Sequence, residues 1–131
     1  MTIVTSVALS SSRLSAVVGF LDTGATNASV NLYGGTRAAT PANAPGTDLL
    51  VSIPLTKPCG SVLAGALTLT QLQDGLIATT GIATWARVLN GNGDTAFDCD
   101  CGQGVGAWEV QLVTTSLYAG GGAHITSAVL G

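Results

Sequence analysis

The stretch Gly81–Cys101, GIATWARVLNGNGDTAFDCDC, restricts the fold more than any other part of the chain. Its first run, Ile82 to Leu89, splits into two alternating sets. Ala83, Trp85, Arg87 and Leu89 share one face, and Ile82, Thr84, Ala86 and Val88 share the other. β-Branched and aromatic residues at period two suit a pleated surface. The centre, Asn90-Gly91-Asn92-Gly93-Asp94, is turn chemistry. Gly and Asn tolerate positive φ, and Asn and Asp side chains bond their own backbone. Thr95 to Cys101 then returns alongside the first run. The spacing predicts a β-hairpin. Neither face is strongly polar, so the hairpin is expected to be covered on both sides, or covered on one and docked on the other.

The same period runs through most of the chain. Ala28–Tyr33 reads as a strand ended by Gly34-Gly35. Arg37–Gly46, with two prolines, reads as a loop. Leu49–Leu55 reads as a strand broken by Pro54, either at an edge or ending there, followed by a turn at Lys57-Pro58-Cys59-Gly60. Val62–Thr70 contains a strand with Leu67 and Leu69 facing one way, and Gln71–Thr80 links it to the hairpin. Gly102–Gly106 reads as a loop. Trp108–Leu117 and His124–Leu130 read as the closing strands, joined through Tyr118-Ala119-Gly120-Gly121-Gly122. Near the start, Ser10–Ser12 offers helix N-caps, and Leu14, Val17, Val18 and Leu21 follow at helical spacing. Gly24 stands where a helix closes. Met1–Leu9 alternates and reads as an edge strand or an extended arm. Seven or eight short strands with turns between them mean a sandwich or a barrel. The expected fold is all-β, an antiparallel sandwich of jelly-roll type with one short N-terminal helix, in a single domain over residues 1–131.

Composition bears on function. Only 8% of the 131 residues are charged and 47% are hydrophobic, with a mean hydropathy of +0.51. A quarter charged is usual. A solitary domain of this kind would expose a weakly charged, apolar surface, which marks interaction sites. The expectation is burial against copies of itself, as a dimer or trimer, or against a larger partner. The four cations, Arg13, Arg37, Lys57 and Arg87, are scattered along a chain of net charge −3. No phosphate-neutralising patch forms, so no nucleic-acid partner is expected. The opening residues lack a signal-peptide pattern, and the run Ala16–Leu21 is too short to span a bilayer. No membrane partner is expected, and synthesis is placed in the cytoplasm with reduced thiols.

Three constellations bear on chemistry. On a strand, Cys99 and Cys101 share a face, and with Cys59 and His124 they make up a three-cysteine, one-histidine zinc set. The competing readings are buried free thiols and a disulfide involving Cys59, and no Cys-x-x-Cys knuckle is present. Asn90, Asn92 and Asp94 begin like a calcium loop, but Thr95 stands where that loop needs glycine and no glutamate follows at the twelfth position. His124 is the sole histidine, and no Gly-x-Ser-x-Gly elbow accompanies it. No catalytic residue, metal ligand or cofactor is assigned, and no enzymatic activity is expected.

Leu32-Tyr33-Gly34-Gly35-Thr36-Arg37-Ala38-Ala39, Gly81-Ile82-Ala83-Thr84-Trp85-Ala86-Arg87-Val88, Asp94-Thr95 and Thr115-Ser116-Leu117-Tyr118-Ala119-Gly120-Gly121 carry a resemblance. Together they resemble a set of small tailed-bacteriophage virion proteins, over most of Arg13–Leu130. The chain departs from that pattern at Ala38, where proline is usual, and at Cys99-Asp100-Cys101. The resemblance implies a capsid decoration or cement protein on the virion surface, made in the host cytoplasm, with the major capsid protein as partner. Loops and termini on a rigid β-scaffold carry binding. The expected contacts are therefore Thr2, Ile3 and Val4 in the N-terminal arm and Arg37, Pro41 and Pro45 in the proline–glycine loop. A second reading is a carbohydrate-binding or host-attachment module of a head or tail fibre. It requires Trp85 or Trp108 exposed beside Asp94 or Asp98. A third is a small hydrolase using His124 and a nearby serine.

Overall fold

Seven strands hydrogen-bond in one continuous ladder that closes on itself. The computed structural model describes residues 6–46 and 48–131. In chain order the elements are α1 (Val7–Leu21), β1 (Ser29–Tyr33), β2 (Leu49–Leu63), β3 (Ala66–Gln71), β4 (Gly75–Leu76), β5 (Gly81–Ile82), β6 (Trp85–Leu89), β7 (Thr95–Gln103), β8 (Val110–Leu112), β9 (Ser116–Leu117), β10 (Gly122–Ala123) and β11 (Ile125–Leu130). The barrel order is β1-β2-β3-β11-β8-β7-β6, and β6 returns to β1. The mostly-β expectation with one short helix holds. The two-sheet jelly-roll sandwich does not emerge from the pairing, because the strands run around a single barrel with no gap between sheets. Nor is the ladder wholly antiparallel. β7 and β8 pair in parallel, Cys101 opposite Val110 and Gln103 opposite Leu112.

The two ends of the barrel differ. β1, β3, β7 and β8 begin at one end, where β2, β6 and β11 finish. α1 covers this end, near Gly65, Gly131 and Ala96-Phe97. Leu14, Val17 and Val18 pack on the core, and Leu21 is fully buried in it. At the opposite end sit two small ribbons, β4 with β10 and β5 with β9. The interior is filled from alternate positions: Val30 and Leu32 of β1, Val51, Ile53 and Leu55 of β2, Ala86 and Val88 of β6, Cys99 and Cys101 of β7. Small and medium side chains dominate, as a narrow barrel requires.

Several sequence expectations shift in detail. The helix starts at Val7, so Ser10–Ser12 lie inside it, and the N-cap is Ser6, accepting from the Leu9 amide at 3.1 Å. Val7–Leu9 is therefore helical, and residues 1–5 of the expected arm lie outside the described residues. Ser11 instead works from mid-helix, its Oγ accepting from the Gly65 amide at 3.0 Å. The helix ends at Asp22, and Gly24, at φ +117°, follows two residues later. β2 does not stop at Pro54. It continues through Pro54 and Pro58 to Leu63, pairing first with β1 and then with β3. The register slips between Leu55 and Gly60, so Pro58 falls in the bulge, while Pro54 stands at the last β1 pair, where the strand changes partner. There the Cys59 amide donates to Asp22 Oδ1 at 2.9 Å, off the ladder. The true reversal lies at Ala64-Gly65, inside Val62–Thr70, the run expected to contain a strand, and the strand there starts at Ala66. Both turn residues have positive φ, +52° and +79°, as a two-residue type I′ turn requires. Trp108–Leu117 likewise divides into β8 and β9 rather than forming one strand. Among the described residues no helix is long and apolar enough to cross a membrane.

Candidate functional site

The hairpin of β6 and β7 presents one face to the barrel interior and the other to the outside. Pairing outward from the turn sets Ala86 opposite Cys99 and Val88 opposite Phe97 on the inner face. Trp85 lies opposite Asp100, and Arg87 opposite Asp98, on the outer face. The turn is locked by Asn90, whose Oδ1 accepts from the amides of Asn92 at 3.0 Å and Asp94 at 2.9 Å. The oxygen expected to begin a calcium loop is thus committed to the backbone. Gly91 carries a second constraint. A Cβ there would lie 2.0 Å from the Thr26 carbonyl oxygen, so only glycine lets the segment after α1 reach this turn. Thr26 Oγ1 donates to the Gly91 carbonyl at 2.7 Å.

The outer face is covered, as the two-sided hairpin predicts. Tyr33 stacks on Trp85 with ring centroids 4.7 Å apart, and the Arg87 guanidinium lies 5.6 Å from the Trp85 ring centroid. Arg87 holds Asp98 through Nε at 2.7 Å and Nη2 at 3.0 Å. The two side chains are 4% and 5% exposed. The Asp98 hydrogen bond raises the Arg87 pKa further above its ordinary value, outweighing desolvation. The remaining guanidinium donors point to the loop 37–46, Nη1 to the Asn43 carbonyl at 2.8 Å and Nη2 to the Thr40 carbonyl at 3.5 Å. One buried arginine thus fixes the path of a loop that has no regular structure of its own. Arg37 reaches across to Asp100 at 3.1 Å, in an exposed pair. Of the expected contact residues, Arg37 and Pro41 are exposed on this loop and Pro45 is half-buried. Thr2, Ile3 and Val4 lie outside the described residues. The loop leaves β1 and enters β2 at the ribbon end and lies over the outer face of β6 and β7, where Arg87 and Asp100 hold it.

The tryptophans do not form a sugar platform. Trp85 is buried, and Asp98 is spent on Arg87. Trp108 is half-buried against Gly102 and Gly106, with Nε1 donating to the Gly104 carbonyl at 2.9 Å. The three cysteines are buried free thiols. Cys99 and Cys101 share the inner face as expected, but the zinc set does not assemble. Among the described residues no group of three His, Cys, Asp or Glu side chains converges. Burial pushes the thiols up, Cys59 to about 11 and Cys99 and Cys101 to about 12.

His124 has a partner that sequence reasoning missed. Its Nδ1 lies 2.7 Å from Asp74 Oδ1, on the exposed rim near β4 and β10. The Ile125 amide donates to Gln71 Oε1 at 2.6 Å, which turns Gln71 Nε2 toward Asp74 Oδ1 at 2.8 Å. Nδ1–H therefore donates to Asp74. The hydrogen bonds from His124 first, and from Gln71 second, hold the Asp74 carboxyl below its usual range. This trio ties the end of β3 to the start of β11. Asp74 and His124 stand 50 residues apart, and no local pattern signals their meeting. The Arg87–Asp98 pair was missed as well: counting evenly outward from the turn sets Arg87 opposite Phe97, and the bulge between Val88 and Leu89 moves it opposite Asp98.

The exposed large apolar side chains are distributed by end. Val7, Leu9, Phe20, Leu63 and Val129 lie on α1 or at the helix end. Leu49, Leu72, Leu76, Ile82, Val105, Val113 and Tyr118 lie toward the ribbon end. Several are fully offered to solvent, with Leu63 at 80%, Leu76 at 74% and Tyr118 at 69%. At the ribbon end Ile82, Leu117 and Tyr118 line a shallow groove of about 180 Å³. No protein-family model, curated protein or solved structure matches the chain.

Proposed function

We propose that this chain is a structural virion protein that decorates and cements a bacteriophage capsid shell. One observation carries the reading: the barrel exposes large apolar side chains toward two opposite ends. Such surfaces gain free energy by burial, at roughly 25 cal/mol per Å² of apolar area. A rigid block that is adhesive at both ends bridges neighbours, which is what a cement protein does. The low charge and the resemblance to small tailed-phage virion proteins support the same role. In this reading the ribbon end, with Arg37, Pro41 and Pro45 on the loop that leaves it, docks on the major capsid protein. The helix end meets another copy, giving a dimer or trimer. The proposed location is the outer capsid surface. The finer jelly-roll assignment stays attached to the resemblance.

The test is co-sedimentation of the purified chain with phage shells assembled without it. The expected result is saturable, many-copy binding. Leu76→Glu and Tyr118→Glu, both at exposed positions, are expected to weaken it by about tenfold or more, the equivalent of roughly 1.4 kcal/mol. A map of the assembled particle that places the chain inside the tail tube, or in a few copies at one vertex, overturns the reading.

A further inference from the structure

We propose that the fold singles out the Asn92-Gly93 step of the β6–β7 turn as a site of spontaneous covalent modification, where the asparagine carboxamide closes to a cyclic imide and opens to aspartate or isoaspartate. The chemistry is independent of the structural role above.

The turn carries the same dipeptide twice, Asn90-Gly91 and Asn92-Gly93. Local sequence treats the two alike, because a glycine after asparagine leaves the attacking amide nitrogen without a shielding side chain. At either step the glycine nitrogen bonds to the asparagine Cγ, and the Cγ–Nδ2 bond breaks. Nδ2 leaves as ammonia, taking the proton that the glycine amide gives up. Water then opens the imide at one of its two carbonyls. One opening leaves aspartate, and the other routes the backbone through Cγ as isoaspartate.

The tertiary structure separates the two steps. Asn90 is 4% exposed. Its Oδ1 accepts from the amides of Asn92 and Asp94, so swinging its Cγ onto the Gly91 nitrogen costs both bonds. Gly91 is itself buried, with the Thr26 carbonyl oxygen 2.0 Å from where a Cβ would stand. Thr26 Oγ1 also holds the Gly91 carbonyl at 2.7 Å. Asn92 is the reverse case. Asn92 and Gly93 are both exposed, and a Cβ on Gly93 would meet no atom within 4 Å. The Asn92 carboxamide makes no hydrogen bond among the described residues. To free the nucleophile a single bond must open, from the Gly93 amide to the Asn90 carbonyl at 3.0 Å, at the tip of an exposed turn. Bonds of that kind open at low free energy, whereas Asn90 is released only with the turn and its contact to Thr26.

Conversion adds one negative charge to a chain of net charge −3. Isoaspartate also inserts an extra backbone atom between the two amides that Asn90 holds, which slackens the turn.

Peptide mapping by mass spectrometry tests the assignment, on the full chain kept folded in mildly alkaline buffer at physiological temperature. Each site is read by the mass gained when the amide becomes a carboxyl, and isoaspartate is told from aspartate by retention time. The expected result is conversion at Asn92 at least about tenfold faster than at Asn90, because Asn90 must first give up more hydrogen bonds. The same chain held unfolded in guanidinium chloride supplies the reference, and there the two rates are expected to converge. Thr26→Ala, which removes the bond to Gly91, is expected to raise the Asn90 rate and leave the Asn92 rate unchanged, with circular dichroism checking that the variant is folded. Equal rates in the folded chain, a folded chain that protects both asparagines alike, or a preference for Asn92 that persists undiminished on unfolding overturns the proposal.

Discussion

Arg87 ties several parts of the structure together. Its guanidinium joins a carboxylate, an indole face and two loop carbonyls. Removing Asp98 strands a buried charge, which costs far more than an exposed pair is worth. Asp98→Ala is expected to destabilise the fold by about 3–5 kcal/mol in urea unfolding. Exposed Asp100→Ala, which frees Arg37, is expected to change stability by less than about 1 kcal/mol. The buried thiols give a pH signature. Their folded pKa values, about 11 for Cys59 and about 12 for Cys99 and Cys101, stand above the ordinary value of 9.0. The unfolded chain therefore loses these protons first as pH rises. The stabilisation is complete below pH 9 and is lost progressively as pH climbs toward the folded values. Thermal midpoints measured from about pH 8 upward should fall across that window. Replacing all three cysteines with alanine should flatten the fall, whatever it does to the midpoint itself.

Among the elements, the β2–β3 hairpin shows what local sequence hides. Its turn, Ala64-Gly65, places an alanine at φ +52°, where an L-residue other than Asn, Asp or Gly is strained. Asparagine in place of this alanine would give the Asn-Gly pair that type I′ turns favour. Ala64→Asn is therefore expected to stabilise the protein by up to about 1 kcal/mol, read as a rise in the urea midpoint. The period-two pattern identifies this region as strand, but Val62–Thr70 has neither proline nor asparagine to mark the reversal. The prolines mislead in the other direction. Pro54 and Pro58 read as stops, yet the barrel uses them where β2 leaves β1 for β3, a place that needs fewer ladder donors.

At the scale of the whole molecule, α1 and the barrel form one core. Leu21 is fully buried at the end of the helix, and the segment after it is pinned to the β6–β7 turn through Thr26 and Gly91. Leu21→Ala is expected to cost about 2–5 kcal/mol, and to lower helix and strand signals in a single transition on circular dichroism. Separate transitions would show that the helix is an appendage. Removing residues 1–5 is the truncation that tests the proposed arm, because removing Met1–Leu9 would also delete Ser6 and the first helical turn.

The sequence by itself determined the period of the strands, a hairpin about the Asn90–Asp94 turn, the helical stripe from Leu14 to Leu21 and the loop Arg37–Gly46. Each is written in residues a few positions apart, where alternation, spacing and turn chemistry act directly. The first hairpin strand starts at Trp85 rather than Ile82, because Gly81-Ile82 pair with β9 instead. That Arg87 faces Asp98 rests on the bulge between Val88 and Leu89, because even counting from the turn would set Arg87 opposite Phe97. Only the tertiary structure decided that the strands close into one barrel, that β7 and β8 run parallel, and that Asp74 meets His124. These depend on which distant edges meet. That choice is made by the shared burial of a small-side-chain core and by the twist that brings β6 round to β1, neither of which has a local spelling.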